Sequence, residues 1–300
     1  MAFARTVLGD IDADELGVTL SHEHLIIDSP MVAREWPHIH LASVSDAIAE
    51  TIELAASGVR TMVDAMPIGC GGDAARLADV ALATGCNLVA STGMHTVKYY
   101  SDGDWHLEAS AEDLAKTFIS AIEGPAPAAG LIKVATSGPA PTPLEHRLFE
   151  AAAMTIEATG VPLLTHCEAG QGGAAQIELI AASGVPLTRV AMSHTDKVPD
   201  TAYHRDLLES GVLLCLDQGL RQPEETARIL VDLIEGGFTA QLLVGTDGAR
   251  RSLWSTLDGA PGLAWINTGF RAMLAAAGID ASSLDMIFRA NPGRWLGLSV

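Results

Sequence analysis

The sequence predicts an α/β fold, a single (β/α)8 barrel spanning residues 1–300, and three observations carry that reading. The first is a period. An Ala-rich helical stretch ends in Gly and a short β-branched run follows at once in ASGVRTMVDA, ATGCNLVAST, ATGVPLLTHC, ASGVPLTRVAMSH, ESGVLLCLD and EGGFTAQLLVGTD. Gly58, Gly85, Gly160, Gly184, Gly211 and Gly237 would cap those helices in the left-handed conformation. Where consecutive they lie 27, 24, 27 and 26 residues apart, the length of one strand-loop-helix-loop unit with a right-handed crossover. The second observation is that the runs are nearly continuously apolar, as strands buried on both faces must be. The third is that the first strand leads into GVTLSHEHLI and not into the Gly-rich phosphate loop of a doubly wound open sheet.

Strands are expected near 17–25, 58–65, 86–93, 129–135, 161–166, 187–194, 211–217 and 240–247. Two long connections, 28–42 and 94–109, follow strand C-terminal ends, where barrels place substrate loops. Residues 281–298 read as an extra helix after the eighth unit, and no linker divides the chain.

With 18 basic against 37 acidic residues the formal charge is -19, which repels phosphate backbones and anionic lipid, so neither nucleic acid nor a membrane is expected as a partner. A hydrophobic content of 48% supplies a large core and excludes disorder. MAFARTVLGDIDADELG lacks the features of a secretory signal, and the longest uncharged stretch, 80–97, is broken by Gly85 and polar residues. Cys70, Cys86, Cys167 and Cys215 form no C-x-x-C pair, so neither a disulfide framework nor a thiolate zinc site is indicated. These features fit a cytoplasmic protein acting on a small molecule, with a homodimer as one assembly open to it.

Side chains at i and i+2 of a strand share a side, so His22 and His24 in SHEHL can both face the barrel axis while Glu23 turns outward. A lone H-x-H is a weak signal. The second pair, His38 and His40 in EWPHIH, reads better as polar loop surface. The first pair gains weight from His166 ending VPLLTH, His194 ending RVAMSH and Asp247 ending LLVGTD. Imidazole and carboxylate ligands converging on a dry cavity suit zinc or a similar divalent ion. Lys133 is one of only four lysines and sits inside the apolar strand AGLIKVAT, where a bare ammonium is costly to bury. Its amine, once carboxylated by CO2 to N6-carboxylysine, would become an anion able to bridge two cations. A Cys167 nucleophile with His166 as base is disfavoured, because neighbouring strand residues point to opposite sides.

From GVTLSHEHL through LIKVATS, LLTHCEAG, MSHTDK and VGTDGARRS to RANPGRWLGL, the chain resembles the phosphotriesterase family of the amidohydrolase superfamily, which includes lactonases. The resemblance implies a binuclear site at the C-terminal ends of the strands. One ion would take His22, His24 and Asp247, the other His166 and His194, with carboxylated Lys133 as the bridge. A departure lies after the second strand, where Gly72 and Asp73 in GCGGD replace the family's usual G-x-G-R pattern. Two metals sharing one oxygen lower the pKa of bound water from ~15.7 toward ~7, so the implied nucleophile is a metal-bridging hydroxide. Asp247 would take its proton and pass it to the leaving alkoxide. Asp64, ending VRTMVDA, is a candidate to orient a ligand histidine from behind.

Lactones, phosphorylated or not, and neutral phosphotriesters are the substrate classes the resemblance offers. His95, Lys98 and Tyr99 in GMHTVKYY, Arg221 in DQGLRQ, and Arg250 with Arg251 in TDGARRS fall in the loops expected to carry specificity. Such a concentration of basic groups in an acidic chain predicts an anionic ligand, and a phosphorylated sugar lactone is the leading expectation. An organophosphate or acyl-lactone hydrolase is the alternative, and both would want an aromatic pocket, whereas aromatic residues make up 5% of the chain. A non-catalytic binding protein ranks below both because all six ligand positions are intact.

Overall fold

The computed structural model describes residues 2–299. Before entering the barrel the chain makes an antiparallel pair, β1 (Ala2–Thr6) and β2 (Gly9–Asp12). Eight parallel strands follow: β3 (Thr19–Glu23), β4 (Thr61–Asp64), β5 (Asn87–Gly93), β6 (Ala129–Thr136), β7 (Leu163–Cys167), β8 (Val190–Ser193), β9 (Leu213–Leu216) and β10 (Leu242–Val244). They pair in sequence order from β3 to β10. The ring closes where the Thr246 and Asp247 N–H groups donate to the His22 carbonyl at 3.1 and 3.0 Å. After each strand comes a covering helix, in turn Val44–Ala56, Ala74–Thr84, Ala111–Glu123, Pro143–Thr159, Gly173–Ala182, Thr201–Glu209, Pro223–Glu235 and Gly269–Ala276.

Local sequence explains where these helices start and stop. Pro143–Thr159 begins with a capping box between Thr142 and Glu145 and carries Pro143 in its first turn. It ends at Gly160, whose N–H returns to the Ile156 carbonyl at 2.8 Å. All six expected capping glycines adopt positive φ, between 70° and 103°. Asp73, in the loop that departs from the family pattern, caps Ala74–Thr84 by accepting from the Ala75 and Arg76 N–H groups.

Two apolar layers result. The outer one packs strand residues such as Leu88, Ile132, Met192 and Val244 against helix residues such as Leu77, Phe118, Leu148 and Ile229. Val63, Val89, Leu131, Leu164, Ala191, Leu213, Cys215 and Leu243 make the inner one, and Ala4, Leu16, Trp295 and Leu296 plug it. The barrel interior is therefore filled, and in such a barrel the ligand site is expected at the strand C-terminal end.

The sequence reading differs from the structure at the chain ends. Residues 281–298 form a helix in three pieces, Ala281–Asp285, a π-helical Met286–Ala290 and Asn291–Leu296, and then a strand, β11 (Leu298–Ser299), paired with β1. β1, β2 and β11 are short and only partly apolar, so no periodicity announced them. Among the described residues, no helix is long and apolar enough to cross a membrane.

Candidate metal centre and substrate chamber

On three strands an inward-facing residue of the inner layer has a polar, inward-facing side chain two positions further along. Lys133 follows Leu131, His166 follows Leu164, and Asp217 follows Cys215 and Leu213. β3 needs a correction to its alternation, because Leu20 packs in the outer layer and simple alternation would turn His22 outward with it. A β-bulge between Leu20 and Glu23 resets the register, so Glu23 pairs with Asp64 and His22 and His24 face the axis together. Glu23 is fully buried on the other side, where it accepts from the Thr246 N–H at 2.8 Å and from its hydroxyl, and burial pushes its carboxyl up to about 8.

His194 and Asp247 both lie just past their strands and both take left-handed backbone, φ 68° and 46°. That conformation is strained for residues with a Cβ, and here it turns an imidazole and a carboxylate inward. Gly245 makes the approach between β10 and β3 possible, since a Cβ there would sit 2.6 Å from the His22 carbonyl oxygen.

Four histidines, Lys133 and Asp247 thus converge. Asp247 Oδ1 lies 4.0 Å from His22 Nε2 and 3.4 Å from His24 Nε2. The His166 and His194 ring centroids are 4.4 Å apart, and those of His22 and His194 5.1 Å. A residue absent from the sequence reading orders them. Asp217, completely buried, accepts from His22 Nδ1 at 2.8 Å and from His194 Nδ1 at 2.9 Å. A carboxylate that accepts from both Nδ1 atoms fixes their protons there and leaves both Nε2 lone pairs free for a cation. Asp217 also falls in a geometric cluster with His22 and His194, but its oxygens are already committed to these rings. Burial opposes its ionisation, yet the two imidazoles hold its carboxyl well below the usual range.

The role sketched for Asp64 therefore belongs to Asp217. Asp64 accepts from the Leu25, Ile26 and Met66 N–H groups at 2.7, 3.3 and 3.0 Å, which fixes the backbone leaving His24 and no imidazole. The signal for Asp217 was legible as a carboxylate at the end of LLCLD, parallel to His166 ending LLTH. Glu168 was also missed. It accepts from His166 Nε2 at 3.0 Å and from Lys98 Nζ at 3.1 Å, and these contacts outweigh its partial burial to bring its carboxyl down to about 2.

Among the described residues Lys133 has no carboxylate partner. Its Nζ reaches only His22 Nε2 at 3.4 Å and Ser193 Oγ at 3.3 Å, and burial pulls its pKa down to about 8 against the nearby Asp217 and Asp247. The donor chemistry fits divalent cations. Imidazole nitrogens and a carboxylate oxygen face one another at the strand ends, and the buried His24 Nδ1 and the near-isolated Lys133 amine are anomalies in a protein made for apolar packing.

Above these groups lies a chamber of about 250 Å³, lined further by Trp36, His95, Tyr99, Lys98, Lys197, Arg221 and Arg250. The expected basic residues do not act alike. Arg221 is on the wall, but its guanidinium is tied to Asp247 and Gln218. Lys98 is paired with Glu168 and lies over the Trp36 and Tyr99 rings at 5.9 and 5.2 Å. Arg251 turns away and donates to the His40 carbonyl at 3.3 Å. Arg250 and the unforeseen Lys197 line the chamber without an ion-pair partner among the described residues. Of the second histidine pair, His38 stands at the chamber mouth and His40 bonds Asp28 at 2.9 Å.

A filled (β/α)8 barrel with clustered imidazoles, a buried lysine and an aspartate at its open mouth defines a metal-dependent hydrolase. The chain belongs to the phosphotriesterase family, whose model matches residues 2–296. It is similar to the phosphotriesterase homology protein of Mycobacterium tuberculosis, 36% identical over 262 residues, which cover 81% of this chain and 79% of that one. It is also similar to the phospho-furanose lactonase of Mycoplasmopsis synoviae, 29% identical, with 98% of this chain and 91% of that one covered. Among solved structures, an amidohydrolase from Mycoplasma synoviae has a TM-score of 0.93 at 28% identity, covering 99% of this chain and 92% of that one.

Proposed function

We propose that the protein hydrolyses an anionic lactone, foremost a phosphorylated sugar lactone. The observation that carries this reading is the pair Arg250 and Lys197, two cations beside the histidine cluster that have no ion-pair partner among the described residues. A ligand bearing a negative group would supply that counter-ion. The chamber of about 250 Å³ is smaller than the roughly 300 to 1,000 Å³ usual for drug-sized ligands, which favours one compact ring over a long acyl tail. The name of the Mycoplasmopsis relative, phospho-furanose lactonase, supports the same choice. A neutral phosphotriester would leave both cations unpartnered.

His22, His24 and Asp247 would hold one divalent ion and His166 with His194 a second, zinc being the metal that suits these donors. Lys133, as N6-carboxylysine, would lie between them, which removes an ammonium that has no carboxylate partner among the described residues. When bound, such ions polarise the ester carbonyl and make water a nucleophile at neutral pH. Asp217 keeps His22 and His194 in the tautomer that exposes Nε2. Asp247 would accept a proton from the attacking water and return it to the ring oxygen that leaves. The four free, buried cysteines suit the reducing cytoplasm as the site of action.

The test is a panel of five- and six-membered lactones, with and without a phosphate group, assayed by acid release together with a neutral aryl phosphotriester. The phosphorylated lactones should give the highest kcat/KM. A neutral triester outperforming all of them would overturn the assignment.

A further inference from the structure

We propose that His95 is held in its Nε2–H form and donates a hydrogen bond from Nε2 to the ring oxygen as it departs. The inference rests on the lactone reading above, and it begins from one hydrogen bond. The Thr96 backbone N–H, which can only donate, points at His95 Nδ1 at 2.7 Å. Nδ1 must therefore be the bare nitrogen, and the neutral ring carries its proton on Nε2.

Backbone and ring are both held by neighbours. Its own backbone N–H donates to Tyr100 Oη at 3.0 Å, and that hydroxyl donates onward to the Ile68 carbonyl at 3.0 Å. Tyr99 stands edge-on to the imidazole at 4.6 Å, and His166 lies against it at 4.6 Å on a tilted contact. His95 is buried and lines the chamber wall, yet among the described residues its Nε2 makes no hydrogen bond. A fixed donor without a protein acceptor beside a substrate chamber is placed for a ligand oxygen.

The protonated Nε2 can serve neither as a base nor as a metal ligand, and Nδ1 is covered by Thr96. In ring opening, a water oxygen bonds to the acyl carbon, the bond from that carbon to the ring oxygen breaks, and the ring oxygen ends as a hydroxyl holding one of the water's protons. The carbonyl oxygen would lie at the metals. Charge on the leaving oxygen is what remains to be stabilised, and His95 meets it with a hydrogen bond while keeping its own proton.

Three substitutions separate the roles of the two nitrogens. His95→Gln puts an amide N–H about where Nε2–H lies, His95→Asn reaches only as far as Nδ1, and His95→Phe keeps the bulk without a donor. On the best lactone, Phe and Asn should lower kcat roughly 10- to 150-fold with KM nearly unchanged, and Gln should recover most of the loss. Metal content and Tm should stay at wild-type values. Wild-type kcat in His95→Phe, or recovery by Asn as good as by Gln, would overturn the proposal, as would metal loss accounting for the activity loss in all three. Independently of any substrate, nitrogen-15 spectra of histidine-labelled, zinc-loaded protein should show an Nε2–H ring whose signals vanish in His95→Gln. An Nδ1–H pattern for that ring would also overturn it. A wild-type protein that opens no lactone would instead defeat the functional reading, and the spectra would still decide the tautomer.

Discussion

Arg221 holds Asp247 twice, with Nη2 donating to Oδ2 at 2.6 Å and Nη1 to the backbone oxygen at 2.9 Å. Its Nε is in turn fixed by Gln218 Oε1 at 3.0 Å. The pair of hydrogen bonds to side chain and main chain matters because Asp247 sits at φ 46°, a conformation that costs a residue with a Cβ about 1 to 2 kcal/mol. Burial would raise the carboxyl pKa, but Arg221 and the neighbouring histidines outweigh it and keep the group ionised. Sequence reasoning placed Arg221 among the substrate contacts, and the structure puts it on the chamber wall with its guanidinium tied to Asp247 and Gln218.

Removing that support should damage turnover more than binding. Arg221→Ala is expected to lower kcat roughly 10- to 100-fold with a smaller change in KM, and Arg221→Lys should recover only part, because an ammonium cannot make both bonds in one plane. Steady-state kinetics on charged and neutral lactones would check it. A rise in KM confined to charged lactones, with kcat kept, would return Arg221 to the substrate site.

Asp217 should govern metal affinity without touching metal. Asp217→Asn can still accept at one oxygen but offers an N–H to the other ring, so one of His22 and His194 loses its ordered tautomer. Metal affinity is expected to fall about 10- to 100-fold. Chelator competition measures this directly, and an unchanged dissociation constant would show that the two rings need no such anchor.

How far these residues could be read from the chain depends on whether local pattern or tertiary geometry placed them. Lys133 and His166 were legible because they continue the period-two alternation of apolar strands. His22 and His24 were legible as a pair, but the β-bulge that turns them inward was not, since it exists only in the pairing of β3 with β4. His194 reaches the chamber through a left-handed residue that no propensity foretells. Lys197 lies three residues beyond His194 and Glu168 two beyond His166, and only the closed barrel shows that they share a chamber with Arg250. The terminal strands escaped because β1 and β11 lie at opposite ends of the chain and find each other only in the fold.

Lys133 offers a test with its own internal control. Lys133→Ala should lose most bound metal and activity, because His22 Nε2 and Ser193 Oγ face that amine across a fully buried space. A short carboxylic acid supplied with metal should restore part of both by occupying the vacated volume. Metal analysis of the wild type should give close to two ions per chain, and full activity in the unsupplemented variant would show that no bridging carbamate is required.

Arg250 and Arg251 are adjacent in sequence, yet they should behave differently. The loop that carries them is anchored from outside the barrel by the buried Glu50, which accepts from the Thr256 N–H at 3.1 Å, the Thr256 hydroxyl at 2.8 Å and the Leu263 N–H at 3.0 Å. Trp254, buried, adds an indole N–H to the Gly248 carbonyl at 2.7 Å. With the loop so held, Arg250 faces the chamber and Arg251 reaches the His40 carbonyl on the first long connection. A charged hydrogen bond contributes about 1.5 to 3 kcal/mol, so Arg250→Ala should lower kcat/KM roughly 10- to 150-fold for a phosphorylated lactone and barely alter a neutral one. Arg251→Ala should leave the ratio of charged to neutral kcat/KM near the wild-type value, since its side chain reaches the His40 carbonyl and does not line the chamber. Lys197→Ala should resemble Arg250→Ala, and the double variant shows whether the two cations bind one group. A single shared phosphate makes their losses non-additive, because either deletion lets the anion shift toward the remaining cation. Equal effects of Arg250→Ala on charged and neutral lactones would remove the anion from this corner of the chamber.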